Sequence, residues 1–435
     1  MEPGPVKIFT VRDVPRLRYI VELILGEILG LSWEIVTDKR KLGKHPVINY
    51  SAEDLNGSFK IYPHGILSEA ELKDYKPEIS DWKGLPVFFQ TPAGSDIPFD
   101  IFAASFYLVT RYEEYLDFEP DKFGRFSASQ SFAYRNKFLS RPVIDLWTKE
   151  LVRALLSRFQ NMAFKRNLFR SMLTIDLDQP FAYLGKDLFR SLGGLLKDMS
   201  HKAGKAGDRY RTVAKGKKDP YDVFDYIFEM VEKNAADVRF FIPAGNSSAH
   251  DQNPSVENDD YRKLILRISK KYSVGLHPSF YASDDSALLL KEKQRLQSVL
   301  SGDILISRFH YIKIYFPDSY RNLIKAGINE DYSMGYPEEP GFRAGISRPF
   351  FFYDLLEDRK SGLRITPFQL MDGTLIQYKG MTPETSVELI TGMIDEIQKV
   401  GGLFVSIWHN TSLLESPEYE KWRNTFELML KLQKQ

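Results

Sequence analysis

At 435 residues the chain exceeds one ordinary domain and has room for a barrel-sized domain with a companion. Its 59 lysines and arginines against 58 aspartates and glutamates leave no global field to recruit nucleic acid or an anionic membrane, so partners must be argued locally. Cysteine is absent, which excludes disulfides, thiolate metal sites and a cysteine nucleophile; any metal must rest on histidine, aspartate and glutamate.

The first residues, Met1-Glu2-Pro3-Gly4-Pro5, lack the basic and apolar regions of a signal peptide. The longest apolar segment, 19–31, is broken by Glu22 and Glu27, so a soluble, cytoplasmic protein is expected. Residues 1–165 read as a mixed α/β domain: an amphipathic helix over 16–29, strands over 33–37 and 59–62, and helices over 102–114 and 143–159. A polar segment at 111–135, with aromatics, Asp and Arg, is expected to pack on the second half rather than touch a ligand.

Residues 166–435 alternate short apolar strands with amphipathic helices, the pattern of an α/β layer or barrel. Strands are expected at 171–177, 238–242, 273–277, 303–307, 363–367 and 403–408. A helix over 221–233 puts Phe224, Ile227, Phe228 and Val231 on one stripe, and another over 387–400 does so with Ile390, Met393, Ile394 and Ile397. Thr382-Pro383-Glu384 supplies its N-cap and a proline at the first helical position. A basic amphipathic excursion over 186–218 breaks the pattern. It reads as a solvated lid, with contact to a lipid-linked substrate or a membrane surface as the sharper alternative.

The chemistry-bearing residues cluster at strand ends. In Thr174-Ile175-Asp176-Leu177-Asp178 an extended chain puts both carboxylates on one face, where two acids must divide their roles; a solvated pair is the plain alternative. His277, His310 and His409 each close or follow an apolar run. A single such histidine is more often a satisfied core residue, but three of them with an Asp pair could converge at the carboxyl ends of barrel strands. No Gly-x-Ser-x-Gly elbow lies near a usable histidine, which disfavours a serine hydrolase, and the basic run is too local and too poor in aromatics for nucleic acid.

Thr174-Ile175-Asp176-Leu177-Asp178, Gly275-Leu276-His277-Pro278-Ser279, Gly341-Phe342-Arg343-Ala344-Gly345 and Ser406-Ile407-Trp408-His409-Asn410, in that order, resemble the motifs of the NodB-homology polysaccharide deacetylases. The branch found in bacterial surface-polysaccharide gene clusters, with an extra amino-terminal domain, is the more similar. The resemblance implies a distorted (β/α) barrel over 166–435 that hydrolyses N-acetyl groups from amino sugars of a polysaccharide or surface-glycan precursor. One divalent metal, zinc first among them, would serve it. Asp176 matches the general base, Asp178 the metal-binding acid, His277 the first metal-binding histidine, Arg343 the arginine holding the base, and His409 the general acid. Asp331 would orient a catalytic side chain, and Trp408, Tyr332 and Phe342 could wall an acetyl pocket or stack on sugar faces. Core packing accounts for Trp408 equally well.

The chain departs from this pattern at one ligand. The family's second histidine, four residues after the first, is Tyr281 here, and a phenol is a poor zinc ligand at neutral pH. Either the site is incomplete, leaving a non-catalytic glycan-binding protein, or His310 completes it from the next strand end. A scaffold role, with the basic excursion as docking element, is the third reading.

Overall fold

The amino-terminal part builds a small parallel sheet in the computed structural model, which describes residues 4–185 and 203–433. Strands β1 (Val6–Phe9), β2 (Trp33–Val36), β3 (Val47–Asn49) and β4 (Phe59–Lys60) lie in the order β2-β1-β3-β4. Helix α1 (Pro15–Val21) links β1 to β2 and runs on as a π-helical stretch, Glu22–Ile28, so the helix expected over 16–29 has a widened second half. Pro15 suits its first position because the missing N–H would have had no helical partner. A hairpin of β5 (Ser80–Trp82) and β6 (Leu85–Val87) leads to α2 (Ile101–Val109), buried along its whole length. Asp100 caps α2, accepting the Ala103 N–H at 3.0 Å. Helix α3 (Val143–Arg158) follows.

The remaining strands form one curled sheet. These are β7 (Arg170–Asp176), β8 (Val238–Ile242), β9 (Ser273–Leu276), β10 (Ile306–Ser307), β11 (Glu330–Asp331), β12 (Phe350–Asp354), β13 (Arg359–Ile365), β14 (Leu370–Met371) and β15 (Leu403–His409). Their order is β12-β13-β11-β10-β9-β8-β7-β15-β14, parallel throughout except for the β12–β13 hairpin. Helices α4 (Ala203–Lys215), α5 (Phe224–Asn234), α6 (Asp259–Ser269), α7 (Ser286–Leu300), α8 (Asp318–Lys325), α9 (Pro383–Val400) and α10 (Glu420–Leu432) fall between or after the strands. The stripes expected on α5 and α9 are buried, and Thr382 caps α9 by accepting the Thr385 N–H. Residues 186–202 of the expected basic excursion lie outside the described residues. No described helix is long and apolar enough to cross a membrane.

Strand alternation decides which side chains meet inside the curl. Met172 on β7, Phe241 on β8, and Leu403, Val405 and Ile407 on β15 point inward. Tyr332, Phe368 and Met371, from the two flanks of the sheet, close the same cluster. The residues between them, Leu173, Ile175, Phe240 and Trp408, face outward into the larger core that the helices cover. Asp176 shares parity with Met172, and His409 with Ile407, so the inward row of each strand runs from an apolar floor to a polar mouth.

Segment 111–135 packs on the second half, as its composition led us to expect: Arg111 donates to the Arg343 carbonyl and Arg125 to the Tyr311 carbonyl. The β12–β13 hairpin was not foreseen; the strand expected at 363–367 is the end of the longer β13. Strand β10 is the last two residues of the strand expected at 303–307, whereas β11 and β14, also two residues each, are too short to register as periodicity.

Candidate active site

The carboxyl ends of the central strands converge on one cleft of about 400 Å³. Asp176 ends β7, Asp178 lies two residues beyond, His277 follows β9, His310 lies beyond β10, and His409 ends β15. Candidate ligand atoms from Asp178, His277 and His310 all fall within 4.8 Å of one another. His277 Nε2 lies 3.0 Å from Asp178 Oδ1, and His310 Nε2 lies 3.3 Å from Asp178 Oδ2. Tyr281, four residues after His277, is 51% exposed and packs edge-on to Phe280.

Each imidazole is oriented through its other nitrogen. His277 Nδ1 donates to the Arg308 carbonyl at 2.6 Å, and His310 Nδ1 meets Asp251 Oδ1 at 2.8 Å. Both rings therefore turn Nε2 toward the Asp178 carboxylate. Two imidazole nitrogens, each backed through the other ring nitrogen, and one carboxylate are the donor set of a three-ligand catalytic zinc site with an open position, so these residues fit such a metal.

The site concentrates charge in a half-enclosed space. Burial works against ionising Asp178, yet the His310, His409 and His277 side chains overcome it and hold the carboxyl well below its ordinary range. Burial likewise opposes the His310 imidazolium, but Asp178 and Asp251 push it up to about 9. His409 behaves the same way: against burial, Asp372, Asp178 and Asp176 raise it to about 10. Asp372 Oδ1 meets His409 Nδ1 at 2.6 Å while Oδ2 accepts the His409 backbone N–H at 2.8 Å. His409 Nε2 is thus aimed at Asp178 Oδ2, 3.5 Å away.

The arginine beside Asp176 is Arg308, not Arg343. Arg308 is fully buried and donates to Asp176 Oδ1 at 2.9 Å, to Thr174 Oγ1 at 2.7 Å and to the Tyr332 carbonyl at 3.0 Å. Arg343 instead pairs with Glu114 through Nε at 2.9 Å and through its terminal nitrogen, and donates to the Gly335 carbonyl. The Gly341–Gly345 motif serves that junction between the halves. Gly341, at φ +147°, lies so close to Leu139 that a Cβ would sit 2.6 Å from its carbonyl oxygen.

Three other assignments need correction, and one gains a definite location. Trp408 is buried on the outward face of β15, edge-on to Phe426 and donating to Met429 Sδ at 3.4 Å, because alternation turns it away from His409. Phe342 is fully buried in the larger core. Tyr332 lies inside the curled sheet against Phe241 and lines a separate cavity of about 700 Å³ at the amino ends of the strands, lined also by Arg170, Arg239 and Arg364. Asp331 touches neither Asp176 nor His409; it accepts from the Ser307 and Ser333 hydroxyls at 3.0 Å and the Ser333 N–H at 2.8 Å. Ser333 Oγ in turn accepts the Phe309 N–H, so Asp331 braces the segment carrying Arg308 and His310.

Asp251, Arg308 and Asp372 are functional neighbours of the site that the motifs do not single out. Arg308 lies within Ser307-Arg308-Phe309-His310, where a charged residue inside an apolar run was the available signal. Asp251 sits in a polar loop and offered none.

Residues 6–160 match the model of a family of unknown function, DUF7033. No curated protein matches the chain. Among solved structures, a candidate polysaccharide deacetylase from Mycobacterium smegmatis aligns at 13% identity and a TM-score of 0.40, over 62% of this chain and 86% of its own. A CE4 family pseudoenzyme from Bacillus anthracis aligns at 9% identity and a TM-score of 0.32, over 62% of both chains. A 4-alpha-glucanotransferase from Thermococcus litoralis aligns at 10% identity and a TM-score of 0.34, over 62% of this chain and 37% of its own.

Proposed function

We propose that the chain is a metal-dependent hydrolase removing N-acetyl groups from amino sugars of a polysaccharide or surface-glycan precursor, as its resemblance to the NodB-homology deacetylases implies. The observation that carries this reading is the convergence of Asp178, His277 and His310 on one point, with Asp176 Oδ2 4.0 Å from His277 Nε2 and His409 Nε2 3.5 Å from Asp178 Oδ2. An ornamental cluster would not need a separate buried partner for nearly every member.

When bound, a divalent cation supplies Lewis acidity to the amide carbonyl. The chain's own residues do the rest. Asp176, with one oxygen on Arg308, offers the other to take a proton from the attacking water. Arg308 fixes that carboxylate in place through a charge-assisted hydrogen bond. His409 carries a proton through neutral pH, and its Asp372 partner fixes Nδ1, leaving the Nε2 proton for the departing amine nitrogen. The C–N bond breaks, and acetate and a free amino sugar leave.

Zinc titration of the full chain, followed by acetate assays on N-acetylglucosamine oligomers, tests the reading. One equivalent of Zn²⁺ should bind, His310→Ala should abolish that binding, and Asp176→Asn should retain the metal while losing acetate release. A folded wild-type chain that takes up neither Zn²⁺ nor Co²⁺ would overturn it.

A further inference from the structure

The turn that presents His310 is strained. Tyr311 has φ +59° and ψ +6°, and Ile312 follows at φ +55°. Consecutive left-handed residues, the second β-branched, persist only where the surroundings over-determine them. From below, Ile312 is anchored in the barrel cluster. From above, the restraint comes from the other half of the molecule.

Residues 121–125 form a closed loop. Asp121 Oδ1 accepts the Phe123 and Arg125 N–H groups at 2.9 Å, and Asp121 Oδ2 accepts from the Arg125 guanidinium at 2.9 Å and 2.7 Å. The free arm of Arg125 donates to the Tyr311 carbonyl at 2.7 Å, and Arg125 is 5% exposed. Phe123 packs on the Tyr311 ring at 4.9 Å between centroids and reaches His250 and Phe280 at 6.3 Å. A Cβ at Gly124, where φ is +81°, would fall 2.2 Å from Tyr315 Oη.

We propose that Arg125, carried by the segment that matches the family of unknown function, is a positioning residue for the metal site: it locks the left-handed Tyr311–Ile312 turn and thereby sets His310 against Asp178 and His277. The amino-terminal half then completes the site without contributing a ligand. This rests on the metal-binding reading above, and its experiment separates the two.

Calorimetric Zn²⁺ titrations of the full chain compare wild type with Arg125→Met, Arg125→Lys, Phe123→Ala and Asp145→Asn. Arg125→Met keeps the stem and removes the donors, so its affinity should fall about tenfold or more, the range for losing a group that orients a ligand. Arg125→Lys should recover most of the loss, because an ammonium can still reach the carbonyl. Asp145 holds Ser347 and Arg348 at the same junction but away from the turn. Asp145→Asn should lower the melting temperature and leave the affinity unchanged. If Arg125→Met does not fold, Phe123→Ala carries the same prediction through the ring contact. Wild-type affinity in a folded Arg125→Met, or in Phe123→Ala where the former fails to fold, overturns the inference, as does an equal loss in Asp145→Asn. A wild type that binds no Zn²⁺ sinks the underlying reading and the inference with it.

Discussion

Arg308 and Asp176 form a buried ion pair at 2.9 Å in which neither side chain is more than 3% exposed. The guanidinium lies over the Phe241 ring at 4.5 Å, so three walls fix its plane. Removing one partner of such a buried pair leaves the other uncompensated, which is strongly destabilising. Arg308→Lys, whose single ammonium cannot serve Asp176, Thr174 and the Tyr332 carbonyl together, should lower acetate release by about 100-fold or more while Zn²⁺ affinity changes less than tenfold. Arg343→Lys should do the reverse of what its motif suggests. It should cost stability, up to about 3–5 kcal/mol for a broken buried pair, with the folded fraction retaining turnover per molecule. Parallel urea unfolding and kcat measurements distinguish the two arginines, and a kcat loss in Arg343→Lys alone would reverse the assignment.

Asp251 and Asp372 stand behind different histidines, which splits their expected effects. Asp251→Asn weakens the acceptor on His310 Nδ1 and should reduce Zn²⁺ affinity by about 10–100-fold. Asp372→Asn should leave the metal in place and lower kcat, because His409 loses both its fixed tautomer and the charge that keeps it protonated. Calorimetry and steady-state assays on both variants give the comparison; identical profiles would mean that the two pairs act as one structural unit.

How much of this site could be read from the sequence follows from where period-2 alternation applies. Asp176 and Asp178, and His409 at the end of β15, sit on or just past long strands, and their convergence is legible from strand ends alone. Of the two readings open for Trp408, the structure bears out core packing, because the same alternation, taken one residue further, turns it away from His409. Arg343 was placed by motif, and a motif does not reveal which of several arginines faces the acid. That choice is made by Glu114, more than two hundred positions earlier, whose carboxylate takes Arg343 into the junction of the halves. Strands β11 and β14, two residues each, carry no periodic signal, so the pairing of Ser307 with Asp331 across β10 and β11 does not show in the sequence although each residue lies in a segment it singles out.

Metal uptake should release protons. In the metal-free protein His310 stays protonated up to about pH 9, because Asp178 and Asp251 outweigh burial, whereas a ligand must present a bare nitrogen. At pH 7 the cation therefore displaces close to one proton from His310, and apparent affinity should rise with pH until about 9, then level off. Zn²⁺ calorimetry in two buffers of different ionisation enthalpy, repeated from pH 6.5 to 8.5, reads the proton count directly. Buffer-independent heats and a flat affinity would show that His310 is already neutral or is no ligand.

Asp331 should give the fold a pH dependence of the unusual sign. Burial raises its carboxyl from 3.8 to about 6, more than the Ser333 amide, the Ser333 and Ser307 hydroxyls and the nearby Arg308 can offset. The folded state thus binds this proton more tightly than the unfolded chain does. Its contribution to stability is complete below about pH 4 and is lost as the pH rises through about 6, on the order of 3 kcal/mol at most. Asp331→Asn keeps an acceptor for the Ser333 N–H and never ionises, so the difference in unfolding free energy, variant minus wild type, should grow between pH 4 and 6.5 and then hold constant. Urea unfolding at four pH values measures that difference, in which titrations common to both proteins cancel. A difference that stays level across the window would mean that Asp331 is ionised throughout, held by Arg308 and its serines more firmly than burial opposes.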